Sequence, residues 1–195
     1  MRLTIALSSL CLALLLSLPA AQAVERAPFT LTDHTGKAVT DEDFLGSFLL
    51  VFFGYSHCPD VCPTDLAIMA GALDALGDRA AVVQPLFVTL DPERDTPEVL
   101  AAYLPAFHPR FIGLTGTSEQ IAAMSESYSV RHRRYYPPPF DEDGEPREDD
   151  ETYFVDHTAA TYLVGPNGGA LRLFHHGATV AEMITVIAEV LPTAR

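Results

Sequence analysis

Apolar positions along the chain change their period several times, and each change marks an element. Phe48 to Gly54 (FLLVFFG) is a continuous apolar run closed by glycine, the pattern of a strand buried on both faces. From Pro63 to Leu76 the period becomes helical, with Leu66, Ile68, Met69, Leu73 and Leu76 apolar and Gly77 just past the end. Val82 to Leu90 predicts a second buried strand. Thr96-Pro97 opens another helix, with threonine as N-cap and proline at the first helical position. A short strand from Phe111 to Leu114 precedes a helix from Ser118 to Tyr128. Ahead of these, Phe29–Leu31 and Lys37–Thr40 flank the turn residues Asp33 to Gly36 and predict a hairpin. Toward the C-terminus a strand is expected over Thr152–Val155. Thr161–Val164 and Ala170–Phe174 then flank a Gly165-Pro166-Asn167-Gly168 turn and form a second hairpin, and Val180 to Leu191 closes the chain as an amphipathic helix.

Strand and helix alternate, then a hairpin and a last helix follow, which predicts an α/β sandwich with a mixed central sheet. The order fits a thioredoxin-like fold with an added N-terminal β-hairpin. No internal repeat is present.

Length and charge narrow the picture. The chain of 195 residues leaves room for one domain. With 12 basic against 26 acidic residues, the formal charge of −14 argues against a nucleic-acid partner or an anionic-membrane surface. Arg2, the apolar run Leu3–Leu18 and the small-x-small sequence Ala21-Gln22-Ala23 form the three parts of a secretory signal, expected over residues 1–23. The run is shorter than the about 20 apolar residues of a spanning helix. An uncleaved N-terminal anchor is the alternative, and the sole membrane attachment foreseen. Residues 24–195 are expected to form one exported domain, located in the periplasm. Pro137 to Glu151 reads three prolines and then an acidic run, expected to be a solvated loop. The sharper reading of that loop is electrostatic attraction of a cationic partner or a basic docking patch.

Removal of the signal takes Cys11 with it and leaves Cys58 and Cys62. A pair four positions apart closes too small a loop to add much stability, so chemistry explains it better than scaffolding. The pair lies between the first buried strand and the following helix. Unpaired N–H groups and the partial positive charge of a helix N-terminus favour thiolate there. Thiolates are the nucleophiles of disulfide exchange and the soft ligands that select Cu(I) or Zn. Positions i and i+4 face the same way on a helical turn, so both sulfurs can point at one ion. A third ligand is sought among the histidines, and His157, at the end of a predicted strand whose following loop should face the cysteine helix, is the candidate. His34, His57, His108, His132, His175 and His176 are read as ordinary surface or packed residues.

Three motifs in order carry a resemblance. FGYSHCPDVCPTDL at Phe53–Leu66, LDPERDTPE at Leu90–Glu98 and VDHTAATYLVGPNG at Val155–Gly168 are similar to the Sco/SenC proteins, and FTLTDHTGKAVTDEDFLG at Phe29–Gly46 extends the match over most of the chain. The resemblance implies a thioredoxin-like copper chaperone that binds one copper ion through Cys58, Cys62 and His157. It implies delivery to the Cu(A) centre of cytochrome c oxidase subunit II, with a periplasmic copper donor protein upstream. Thiol–disulfide reduction of the Cu(A) cysteines, with Cys58 and Cys62 as the redox-active pair, is the other role it implies. Asp91 and Asp95, in the second motif, are expected to form turns and cap the helix that starts near Pro97.

Two competing chemistries use the same sulfurs. A thiol–disulfide oxidoreductase would need no histidine, but its usual spacing is C-x-x-C, one residue shorter than here. A thiol peroxidase would place a proline and a threonine where this chain has Tyr55 and Pro59, and is set aside.

Overall fold

The computed structural model describes residues 28–137 and 153–192. The expected signal segment and the whole of the acidic run lie outside the described residues.

β1 (Thr30–Asp33) and β2 (Ala38–Thr40) come first, followed by β3 (Phe48–Gly54), α1 (Val61–Leu76) and β4 (Val83–Thr89). Then come α2 (Pro97–Tyr103), β5 (Ile112–Thr115), α3 (Ser118–Ser127) and β6 (His132–Tyr135). The chain ends with β7 (Phe154–His157), β8 (Ala160–Val164), β9 (Ala170–His175) and α4 (Val180–Val190). Seven strands form one sheet in the order β2-β1-β5-β4-β3-β8-β9. β3, β4 and β5 run parallel, whereas β8 joins β3 antiparallel and β9 joins β8 antiparallel. This is the mixed central sheet the element order predicts. The N-terminal pair is continuous with it, since β1 also pairs with β5.

β3 is the spine. Every one of its residues is buried, because β4 and β8 flank it and both of its faces are covered. Successive side chains point to opposite faces. Phe52 packs near Phe87 and His157, while Phe53 meets Tyr128 and Tyr162. Burying each such ring contributes about 1.5–3 kcal/mol.

α2, α3 and α4 start where their sequences say they should, whereas α1 begins at Val61, two residues before the expected Pro63. Thr96 caps α2 by accepting from the Val99 N–H, with Pro97 at the first position. Thr117 with Gln120, and Thr179 with Glu182, close reciprocal capping boxes on α3 and α4. α1 ends at Gly77, whose φ of +54° lies in the region that favours glycine.

One element departs from the sequence reading. β6 pairs antiparallel with β7 in a separate two-stranded ribbon. Every residue of β6 is exposed, so no apolar alternation announces it.

Candidate metal centre

The site is assembled where β3 ends and α1 begins. A Cβ on Gly54 would lie 2.8 Å from the Cys62 sulfur and 2.8 Å from a Phe52 ring carbon. Glycine at this position is what lets the sulfur sit against the end of β3. Cys62 itself is wholly buried, in the first turn of α1.

Cys58 is not on that helix. α1 starts at Val61, so the two cysteines do not share a helical turn as their spacing suggested. They converge because the connecting turn folds back, with the Cys58 N–H donating to the Tyr55 carbonyl at 3.2 Å. The Asp60 side chain does not cap α1. Instead the Cys62 N–H donates to the Cys58 sulfur at 3.4 Å, so a sulfur receives one of the helix's free N–H groups.

His157, the last residue of β7, reaches the pair from the ribbon. Its Nε2 lies 3.6 Å from the Cys62 sulfur. Its Nδ1 faces the Thr158 carbonyl at 3.1 Å. A carbonyl only accepts, so Nδ1 carries the hydrogen and Nε2 presents its lone pair to the sulfurs. Phe52 and Tyr55 wall the imidazole edge-on, with ring centroids at 6.3 and 6.1 Å. The donor atoms of Cys58, Cys62 and His157 all lie within 4.8 Å of one another. Two thiolates and an imidazole form a soft donor set suited to copper.

The two sulfurs are electrostatically unlike. The hydrogen bond from Cys62, with the main-chain N–H groups of Cys62 and Asp60, outweighs burial and brings the Cys58 thiol down to about 3. The same hydrogen bond, with burial, pushes Cys62 up. Without metal the pair therefore holds a single proton, on Cys62, beside a half-buried Cys58 thiolate. Burial raises the Tyr55 phenol to about 12, so it stays neutral beside that charge.

A second set of groups fixes the site, and it corrects the reading of the acidic motif. Asp95 does not cap α2; Thr96 does. The Asp95 carboxylate is buried and accepts from the Ser56 N–H at 3.0 Å, from the Ser56 hydroxyl, and from the Thr89 hydroxyl at 2.7 Å. It ties the cysteine loop to the end of β4. The main-chain carbonyl of Asp91 does form a turn, receiving the N–H groups of Arg94 and Asp95. Its side chain goes further, accepting from Arg94 and from the Tyr153 hydroxyl at 2.7 Å. The Arg94 guanidinium covers the Tyr153 ring at 3.7 Å and donates to the Tyr153 carbonyl. Asp91, Arg94 and Tyr153 thus hold the ribbon that carries His157. The dense charge directly after a buried strand was the local signal for these roles.

The remaining histidines are engaged elsewhere or exposed. His34 and His108 accept main-chain N–H groups, His176 faces Asp65 at 3.1 Å, and His57 faces the Ser56 hydroxyl. His132 stands across the ribbon from His157.

Comparison with known proteins agrees with the fold. The SCO1/SenC family model matches residues 19–192. The mitochondrial SCO1 homologue of Homo sapiens is 42% identical over 163 residues, covering 83% of this chain and 51% of that protein, so the chain spans about half the length of this curated relative. Bradyrhizobium japonicum ScoI with copper bound superposes with a TM-score of 0.73 at 39% identity, covering 85% of this chain and 99% of that one. Arabidopsis thaliana ScoI with copper bound gives 0.74 at 32% identity, covering 84% and 96%. The thioredoxin-like mixed sheet, the Cys-Cys-His group and a match over nearly the whole chain lead to one conclusion: this chain belongs to the SCO1/SenC family.

Proposed function

We propose that the chain is an exported, periplasmic copper chaperone that holds one copper ion on Cys58, Cys62 and His157 and passes it to the Cu(A) site of cytochrome c oxidase subunit II. The observation that carries this reading is the convergence of two sulfurs and a bare imidazole nitrogen from two separate structural units. Copper is the cargo. Three donors leave a coordination position open to an incoming thiolate or imidazole, so transfer proceeds by ligand exchange, with no change of oxidation state required. The half-buried Cys58 is the donor an acceptor meets first. An open groove of about 1040 Å³ runs beside His157 and gives an acceptor access from the ribbon side. A periplasmic copper donor protein would load the site by the same exchange in reverse. No described helix is long and apolar enough to cross a membrane.

The test is copper stoichiometry of the reduced protein beside Cys62→Ser and His157→Ala. One tightly held ion in the parent, lost or greatly weakened in both variants, supports the three-donor site. Full retention in His157→Ala removes the histidine.

A second reading is favoured by the unlike sulfurs. As a thiol–disulfide reductant, the Cys58 thiolate would attack a partner disulfide and release one partner thiolate. Cys62 would then lose its proton and attack the Cys58 sulfur, releasing the second partner thiol and leaving a Cys58–Cys62 disulfide. This chemistry survives His157→Ala, whereas copper binding does not.

A further inference from the structure

The ribbon sets His132 directly opposite His157. The Thr158 N–H donates to the Arg131 carbonyl at 2.9 Å, and the Arg131 N–H donates to the Thr158 hydroxyl at 3.1 Å. Arg131 and Thr158 therefore form a hydrogen-bonded rung. Rungs alternate in an antiparallel ladder, so His132 and His157 occupy a non-hydrogen-bonded rung, where opposed Cα atoms approach to about 4.5 Å. Their Cβ atoms are then about 4.5–5.5 Å apart. The neighbouring rung pairs Arg133 with Asp156 at 3.0 Å on the outer face, both well exposed. His132 and His157 lie on the other face, the one on which Val155 is buried.

Both imidazoles line the same open groove. His132 has no hydrogen-bond partner among the described residues, unlike His34, His57, His108 and His176. An imidazole nitrogen sits about 2.0–2.1 Å from a bound transition metal, so two rings hung this close can meet at one ion.

We propose that His132 and His157 form a cross-strand two-histidine site for a divalent transition metal, Cu(II) before the others by the ordinary affinity order. The site needs neither sulfur. It shares His157 with the three-donor group, so an ion occupies one position or the other. On the copper-transfer reading, on which this consequence rests, His132 is the ligand that copper meets as the sulfurs release it into the groove.

The experiment uses the mature chain carrying Cys58→Ser and Cys62→Ser, titrated with copper(II) chloride and followed by calorimetry and electron paramagnetic resonance. The expected result is one Cu(II) with two coordinated imidazole nitrogens. Adding His132→Gln should weaken binding by about tenfold or more and remove one nitrogen, consistent with losing one of two ligands. Binding unmoved by His132→Gln, whether at other histidines or at the amino terminus, overturns the proposal, as does a one-nitrogen spectrum. Should the cysteine variant fail to fold, the oxidised parent protein, its sulfurs closed as a disulfide, carries the same titration. Copper(I) stoichiometry of the reduced parent and of His132→Gln alone is measured alongside. Equal values there leave the three-donor site standing whatever the fate of the histidine pair, and an empty parent would fail that site separately.

Discussion

Ser56 and Asp95 stand 39 positions apart, and both the main-chain N–H and the hydroxyl of Ser56 donate to the buried Asp95 carboxylate. Two residues from Cys58, this clamp decides where the cysteine turn lies. Hydrogen bonds to a charged group are worth about 1.5–3 kcal/mol each, and their loss leaves buried donors unsatisfied.

Asp95→Ala should therefore lower stability by about 3 kcal/mol or more, with the Ser56 main-chain N–H and the Thr89 hydroxyl left without an acceptor. Denaturant unfolding of the metal-free protein measures it. A loss below about 1 kcal/mol would mean that the clamp contributes little.

Gly54→Ala tests the fit of Cys62 against the end of β3. The added methyl would lie 2.8 Å from the sulfur and 3.1 Å from a Phe87 ring carbon, so one of them must move. Overpacking of this kind costs about 1–3 kcal/mol. The expected outcome is a folded protein whose copper(I) affinity, measured by competition with a chromophoric chelator, falls by about tenfold or more. Unchanged affinity would show that the sulfur has room to shift.

Thiol reactivity should separate the two cysteines. With its thiol held down to about 3, Cys58 is thiolate throughout the neutral range and loses that form only in strong acid. Alkylation of the reduced, metal-free protein should mark Cys58 first, at a rate nearly independent of pH between about 5 and 8, with Cys62 protected by burial. In Cys62→Ala the principal hydrogen bond to Cys58 is gone, and the rate should recover a rise with pH. Mass spectrometry of the alkylated peptides reads both results; preferential labelling of Cys62 would refute the assignment.

The turn between β1 and β2 offers a pH test away from the site. Burial alone would raise the Asp33 carboxyl, but hydrogen bonds from the Thr35 hydroxyl, the Lys37 N–H and the Thr35 N–H outweigh it and hold the group below its ordinary value. A carboxyl lowered on folding stabilises above its unfolded pKa, and the contribution fades as pH falls through the folded value. Asp33→Ala should cost about 1 kcal/mol at neutral pH, allowing for the exposure of the turn, and almost nothing near pH 2. A difference that persists in acid would point to packing instead.

What was legible in the sequence divides along a physical line. β3 was readable because a strand covered on both faces must be apolar throughout, and FLLVFFG has no other use for that pattern. The capping threonines Thr96, Thr117 and Thr179 were local signals for local structure. β6 was not readable, because its four residues are exposed and the ribbon is held by polar groups. Asp91 and Asp95 were read as turn and cap residues because those are what short-range patterns contain. Their side-chain partners Tyr153 and Ser56 lie 62 and 39 positions away. The grouping of Cys58, Cys62 and His157 was legible through motif order; that Cys58 sits outside the helix was not.

The ribbon's separation from the main sheet divides the site between two kinds of glue. Cys62 is fastened by apolar packing around β3 and α1, a force that weakens on cooling and is little moved by dilute salt. His157 is fastened by Asp91, Arg94 and Tyr153, contacts too buried for dilute salt to reach, and by the exposed Arg134–Glu93 pair, which ions in solution screen. Ionic strength therefore acts on the imidazole through that pair, and temperature on the sulfur. The grip on a metal ion can be loosened from one side while the other side holds.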